Sequence, residues 1–403
     1  MPRAFLVVMD SVGVGGAPDA GEFFNGDVPD TGANTLAHIA RACAEGRAEE
    51  GRSGPLRLPN LDALGLGAAL ILASGAQGPG LGAAPQGLWG VLEETSPGKD
   101  TPSGHWELAG VPVPWNWRYF PDRVPAFPPE LSAQIAAVAG TGGVLGDCHA
   151  SGTEIIARLG AGHMRTGWPI CYTSADSVVQ IAAHEETFGL RRLLDLCAAI
   201  APEVHAMKVG RVIARPFVGD AERGFTRTAN RHDYAIAPPA PTLCDWVQDA
   251  GRRVQAVGKI GDIFSMCGID EVRKGTDATL MNHWHDLMRE APDGSLTFAN
   301  FVEFDSHHGH RRDISGYACA LERFDAGLGR ILAVRRPGDL VLLTADHGND
   351  PTWPGTDHTR ERVPVLGAGA GRRSVGLRAF ADVAASVAAH LDVPAAGPGR
   401  SFL

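Results

Sequence analysis

The chain alternates short apolar runs with longer stretches of helical period. Ala4–Met9 (AFLVVM), Val254–Val257 (VQAV), 300–304 (NFVEF) and Leu340–Thr344 (LVLLT) are the apolar runs. They have the pattern of strands buried on both faces. Between them, 316–334 (GYACALERFDAGLGRILAV) repeats Leu, Phe and Ile at helical spacing, and 379–391 (AFADVAASVAAHL) does the same. Buried strands alternating with helices predict a doubly wound, mainly parallel α/β sheet. Two stretches interrupt the pattern. One is 111–129 (VPVPWNWRYFPDRVPAFPP), rich in Pro and aromatics and without period. The other is the polar run 219–241, which ends in APPAP. The residues between carry their own strand and helix patterns, so the expected organisation is a core of 1–115 and 236–403 with a smaller inserted α/β domain at 116–235.

The ends of the apolar runs carry the chemistry. Met9-Asp10, Phe304-Asp305 and Ala345-Asp346 each close such a run with a carboxylate. In an open parallel sheet, ligands bind beyond the carboxyl ends of the strands. Three aspartates on that edge need compensating cations. Imidazoles follow them: His310 lies five residues after Asp305, His347 adjoins Asp346, and His358 returns in the next loop. His307 and His308 read as loop polars. Carboxylates with imidazoles and no nearby Cys suit Mn²⁺, Zn²⁺ or Mg²⁺. Six ligands exceed what one tetrahedral ion takes and suit two dications about 4 Å apart, an arrangement fitted to phosphoryl chemistry.

Composition narrows the class. With 403 residues, 44% hydrophobic and 20% charged, the chain can bury a large core. A net charge of −10 argues against a general nucleic-acid surface. Seven Cys, an odd number without a C-x-x-C pair, fit free thiols in a reducing compartment. The N-terminal apolar run is too short for a signal peptide or membrane span, so a cytoplasmic location and no membrane partner are expected.

Two glycine- or proline-marked stretches remain. DSVGVGGAPDA lacks the third glycine of a dinucleotide fingerprint, and its glycines are expected to let the chain turn after Asp10. In GKDTPSGHWELAG (98–110), Thr101 precedes Pro102, which makes Thr101 the expected N-cap of a helix. A helix start attracts phosphate. A hydroxyl there that also touched a dication would be an activated nucleophile.

The motifs MDSVGVGGAPDA, GKDTPSGHWELAG, YTSADSVVQIAAHEE, GRVIARPFVG, FVEFDSHHGHRRD and TADHGNDPTWPGTDHTRERVPVL together resemble the phosphopentomutases of the alkaline phosphatase superfamily. The resemblance spans essentially the whole chain. It implies an alkaline-phosphatase-like core with a cap domain that closes to keep water out. It also implies two Mn²⁺ ions, one held by Asp10, Asp346 and His347 and the other by Asp305, His310 and His358, with Thr101 bridging them and carrying phosphate. The implied reaction interconverts ribose 1-phosphate and ribose 5-phosphate, or the deoxyribose analogues, and is primed by a sugar bisphosphate; a monomer is expected. For the second phosphate the candidates are Arg211, Arg215 and Lys259, and for sugar hydroxyls Asp176 and His184. Phosphoglycerate mutases share the Asp-His motifs but use a serine nucleophile, which separates them from a chain with Thr101.

Overall fold

The computed structural model describes residues 1–174 and 176–403. The chain divides into two compact units, Met1–Pro114 with Pro238–Leu403, and Trp115–Ala237.

The larger unit is built on an eight-stranded sheet. Its strands run in the order Glu271–Arg273, Val254–Val257, Leu296–Phe301, Ala4–Met9, Leu340–Thr344, Val363–Ala368, Leu88–Glu93, Arg373–Ala379. Only Val363–Ala368 opposes its neighbours; the other pairings are parallel. The expectation of a mainly parallel α/β sheet therefore holds. Every residue of Ala4–Met9, Leu296–Phe301 and Leu340–Thr344 is buried, which explains why these segments read as runs without alternation. Ala4–Met9 lies between two strands from the far end of the chain, with Ala4 opposite both Leu296 and Leu340. The helix expected at 316–334 runs Ile314–Ala333, started by the Asp313 carboxylate accepting from the Gly316 N–H.

The apolar run at 300–304 needs a correction. The strand is Leu296–Phe301, and 304–309 forms a wide helical turn, so Asp305 sits inside a turn and not at a strand end. Such wide turns are uncommon and gather at functional sites.

Arg3 fastens the start of the first strand. Its guanidinium donates twice to Asp339, at 2.9 and 2.6 Å, and to the carbonyls of Met288 and Ala291 at the end of the helix Asp277–Glu290. It is 1% exposed, so nothing but protein solvates that charge.

The smaller unit holds a mixed sheet in the order His232–Ala235, Arg211–Asp220, Val178–His184, Ile170–Thr173, Leu145–His149, with Gly224–Arg227 paired to Arg211–Asp220. One face packs on the helices Pro129–Ala139 and Leu190–Ala206 through Ile135, Leu193, Cys197 and Ile200. The other packs on Gly152–Thr166 through Ile155 and Ile156. The polar run 219–241, read as a break, contributes two strands to this sheet. They are half-exposed or exposed throughout, so they lack the apolar signature of a buried strand. Among the described residues no helix is long and apolar enough to cross a membrane.

Arg3→Met should cost about 3–5 kcal/mol of stability, because it strands the buried Asp339 carboxylate. Urea unfolding would show this as a lower midpoint at unchanged slope.

Candidate metal centre and nucleophile

At the carboxyl edge of the large sheet three carboxylates converge. Asp10, Asp305 and Asp346 are 0%, 5% and 0% exposed. Burial, then the neighbouring charges of Asp346 and Asp305, push the Asp10 carboxyl well above the usual range. Burial acts the same way on Asp346 and Asp305, yet both are held well below that range by imidazoles: His347 and His105 beside Asp346, His358 and His310 beside Asp305. Asp10 Oδ1 and Asp346 Oδ2 have no hydrogen-bond partner among the described residues. Buried carboxylate oxygens without donors are costly.

Three imidazoles face these oxygens, all oriented in one way. His347 Nδ1 donates to the Gly348 carbonyl at 3.1 Å, His310 Nδ1 to Thr356 O at 2.6 Å, and His358 Nδ1 to Lys99 O at 2.8 Å. A carbonyl partner fixes a proton on Nδ1 and turns Nε2 to the carboxylates, where it donates as an imidazolium and, once deprotonated, offers a lone pair. His347 Nε2 lies 3.2 Å from Asp346 Oδ2 and 3.7 Å from Asp10 Oδ1. His310 Nε2 lies 3.0 Å from Asp305 Oδ2, and His358 Nε2 lies 3.4 Å from Asp305 Oδ1. The Nε2 atoms of His310 and His358 are 3.2 Å apart. Lone pairs turned toward each other and toward orphaned carboxylate oxygens suit a divalent cation. Donor atoms of Asp10, Asp346 and His347 lie within 4.8 Å of one another, and so do those of Asp305, His347 and His358. His347 thus stands between the two carboxylate groups, and its ring stacks on that of His358 at 3.8 Å.

Thr101 approaches from the helix Thr101–Leu108, its Oγ1 3.4 Å from His347 Nε2. Thr101 is not the N-cap. Asp100 takes that position, its carboxylate accepting from the Ser103 N–H and hydroxyl, and Thr101 is the first helical residue. The charged, acceptor-only Asp100 carboxylate takes the free N–H, which leaves the threonine hydroxyl available to the site. Gly104 lets this helix lie against the backbone after Leu340–Thr344, since a Cβ there would fall 2.2 Å from the Asp346 carbonyl. Gly13 and Gly348 serve space rather than turning: a Cβ on either would strike the buried Glu361 carboxylate. That carboxylate, its pKa pushed up to about 7 by burial and Asp350, holds the Gly15 and Thr35 N–H groups and the Thr35 and Thr359 hydroxyls.

Supporting residues that the motifs did not flag surround the ligands. Asn300 donates to Asp10 Oδ2 at 2.8 Å and to His105 Nε2 at 3.1 Å. His105 Nδ1 is 2.9 Å from Thr101 O and 3.1 Å from Asp346 Oδ2. Asn349 donates to Asp305 Oδ1 at 2.7 Å. The only sequence signal for them is proximity, since each lies within five residues of a flagged one.

A family model described as the metalloenzyme superfamily matches residues 2–395. A phosphopentomutase from Chelativorans sp. (strain BNC1) is 56% identical over 409 residues, covering 100% of this chain and 98% of its own. One from Methylorubrum extorquens (strain PA1) is 56% identical over 412 residues, with 100% of both chains covered. The chain belongs to the phosphopentomutase family. The phosphopentomutase of Sinorhizobium medicae (strain WSM419) is 55% identical, again over all of both chains. A solved phosphoglycerate mutase structure from Leishmania mexicana matches at 13% identity, covering 99% of this chain and 97% of its own, with a TM-score of 0.47.

The residues expected at a phosphopentomutase substrate divide. In the smaller unit a cavity of 740 Å³ is lined by Arg215, Arg227, Arg231 and the hydroxyls of Thr153, Thr226 and Thr228. Arg227 and Arg231 were missed because they lie in the polar run read as a break. Arg215 also donates to Gln180 Oε1 at 3.0 Å. Arg211 lies outside that lining, between Asp176 at 3.7 Å and Asp233 at 3.6 Å. Lys259, in the larger unit, is exposed just past Val254–Val257. His184 is buried, Nδ1 accepting from the Glu186 and Thr187 N–H groups and Nε2 donating to Gly219 O at 3.0 Å. It caps a turn and has no ring nitrogen left for a sugar hydroxyl.

Gly104→Ala should move the Thr101 helix off the sheet and cost about 1–3 kcal/mol. A fall in melting temperature together with weaker Mn²⁺ binding in calorimetry is the expected result.

Proposed function

We propose that the chain is a metal-dependent phosphopentomutase, an isomerase that interconverts ribose 1-phosphate and ribose 5-phosphate, or their 2-deoxyribose analogues. The observation that carries this is the set of three imidazoles whose Nε2 atoms face three buried carboxylates, with the Thr101 hydroxyl 3.4 Å from one of them. Full-length likeness to proteins named phosphopentomutase supports the substrate. Asp10, Asp346 and His347 would hold one Mn²⁺, and Asp305, His310 and His358 the other; another divalent ion of similar preference could replace either. When bound, the cations neutralise charge on the transferring phosphoryl group and on the threonine oxygen.

The rest is the work of the chain's own groups. Thr101, at the first position of its helix, offers its hydroxyl beside free backbone N–H groups and the positive end of the helix dipole. A sugar bisphosphate primes it. The phosphoryl group then passes from Thr101 Oγ1 to the free hydroxyl of a pentose monophosphate. The threonine O–P bond breaks, the sugar O–P bond forms, and the hydroxyl proton ends on the threonine oxygen. The resulting bisphosphate reorients and returns its other phosphoryl group to Thr101. Within the smaller unit, Arg215, Arg227 and Arg231 line one cavity with cationic donors suited to a phosphate. Arg211 in that unit and Lys259 in the larger one are further cationic candidates. The seven free thiols among the described residues suit a reducing, cytoplasmic setting.

The deciding assay is Mn²⁺-dependent conversion of ribose 5-phosphate to ribose 1-phosphate, coupled to a nucleoside phosphorylase. Release of inorganic phosphate without isomerisation would identify a phosphatase instead. Thr101→Ala should abolish turnover with metal content intact. Mass spectrometry after incubation with a pentose bisphosphate should find phosphate on Thr101; phosphate on Ser103 would refute the assignment. Asp346→Asn should lower the bound Mn²⁺ from two per chain toward one, and an unchanged count would exclude its ligand role.

A further inference from the structure

Arg312 follows His310 by two residues and takes no part in the chemistry above. Its backbone is left-handed, φ 55°, a conformation that a non-glycine residue adopts only when its surroundings hold it there. The side chain explains the constraint. Nε donates to Gly355 O at 2.8 Å. One terminal nitrogen donates to Gly309 O at 2.9 Å and to Asn349 Oδ1. The other donates to Pro354 O at 3.2 Å and Asp357 O at 3.0 Å. One guanidinium therefore ties the turn Phe304–Gly309, which carries Asp305, to the loop 349–357, which delivers His358.

Each tie ends one bond from a proposed ligand. Asn349, oriented by Arg312, donates to Asp305 Oδ1 at 2.7 Å. The loop carbonyls that Arg312 gathers flank Thr356, whose carbonyl fixes His310 Nδ1 at 2.6 Å. Asp357, the residue before His358, has its carbonyl held by Arg312 and its N–H by Asn25 Oδ1. Asp305, His310 and His358 are thus all oriented through one side chain. Nothing comparable links Arg312 to Asp10 or Asp346.

We infer that Arg312 is a positioning residue for the cation site of Asp305, His310 and His358, acting through its five-donor fork and not through its charge. The inference rests on the reading that those three residues hold a cation. A lysine keeps the charge but has three donors on a compact ammonium and cannot reach acceptors spread over two segments. Loss of partners just outside a ligand shell typically costs about 10–100-fold in metal affinity.

The test is Mn²⁺ titration of the full-length metal-free chain by calorimetry, with the melting temperature of the metal-free state measured alongside. Arg312→Ala and Arg312→Lys should both weaken one of two binding steps by about 10–100-fold and leave the other within about twofold. The metal-free melting temperature should fall little. Equal weakening of both steps would overturn the inference by making Arg312 a general stabiliser, and so would full affinity in Arg312→Lys. Asp305→Asn separates the two readings. If it removes one binding step while Arg312→Ala weakens neither, the positioning role alone fails. If Asp305→Asn leaves both steps intact, the cation site itself is wrong and the role falls with it.

Discussion

Three carboxylates buried within one site repel one another, and the molecule around them is arranged to tolerate that. Asp10, Asp305 and Asp346 are almost wholly withdrawn from water. Burial and mutual repulsion favour neutral acids, and only opposing charge or donors can keep them ionised. The protein meets part of this demand with His347, His358 and Asn300, and leaves Asp10 Oδ1 and Asp346 Oδ2 with no hydrogen-bond donor among the described residues. The metalloenzyme character of the family and the proposed pair of cations follow from that shortfall. A polar cluster so poorly satisfied is a poor foundation for a fold unless something else binds it.

Holding the cluster together falls to residues outside the proposed ligand set. Arg3 pins the strand that delivers Asp10. Glu361 gathers the loop after Asp10 with Thr35 and Thr359, and Gly13, Gly104 and Gly348 let backbone come close enough. Arg360, buried at 1% exposure between Asp19 and Glu94 and bonded to Gly98 O, fastens the approach to Thr101. These groups are bonded on every side, whereas the cluster is not. The contrast is one of function: the frame is fixed so that the site can remain charged and incomplete.

Most of this was legible in the sequence where a rule with a period applies. Apolar runs buried on both faces gave the sheet, and an aspartate at the end of a run gave Asp10 and Asp346. The reading failed where local chemistry decides. Asp305 was taken for a strand end because Phe304 is apolar, but a wide turn intervenes. Thr101 was taken for the cap although Asp100, one residue earlier, is the stronger acceptor. His184 is a candidate for sugar hydroxyls through the family resemblance, yet its ring is spent on a turn and the Gly219 carbonyl. Arg312 and Asn349 carried no signal beyond their nearness to His310 and His347 in the chain. A side chain that orients others by bonding to backbone carbonyls is defined by the fold and leaves no pattern behind.

The first strand also sets an order in time. Ala4–Met9 has no neighbours in the sheet except Leu296–Phe301 and Leu340–Thr344. As the chain leaves the ribosome at roughly 5–20 residues per second, that strand stays unpaired for about a quarter of a minute or longer. The unit Trp115–Ala237 has all its strands within its own span and is complete well before then. The nascent chain therefore carries a six-residue apolar segment through most of its synthesis, a natural target for a chaperone that shields it until its partners arrive.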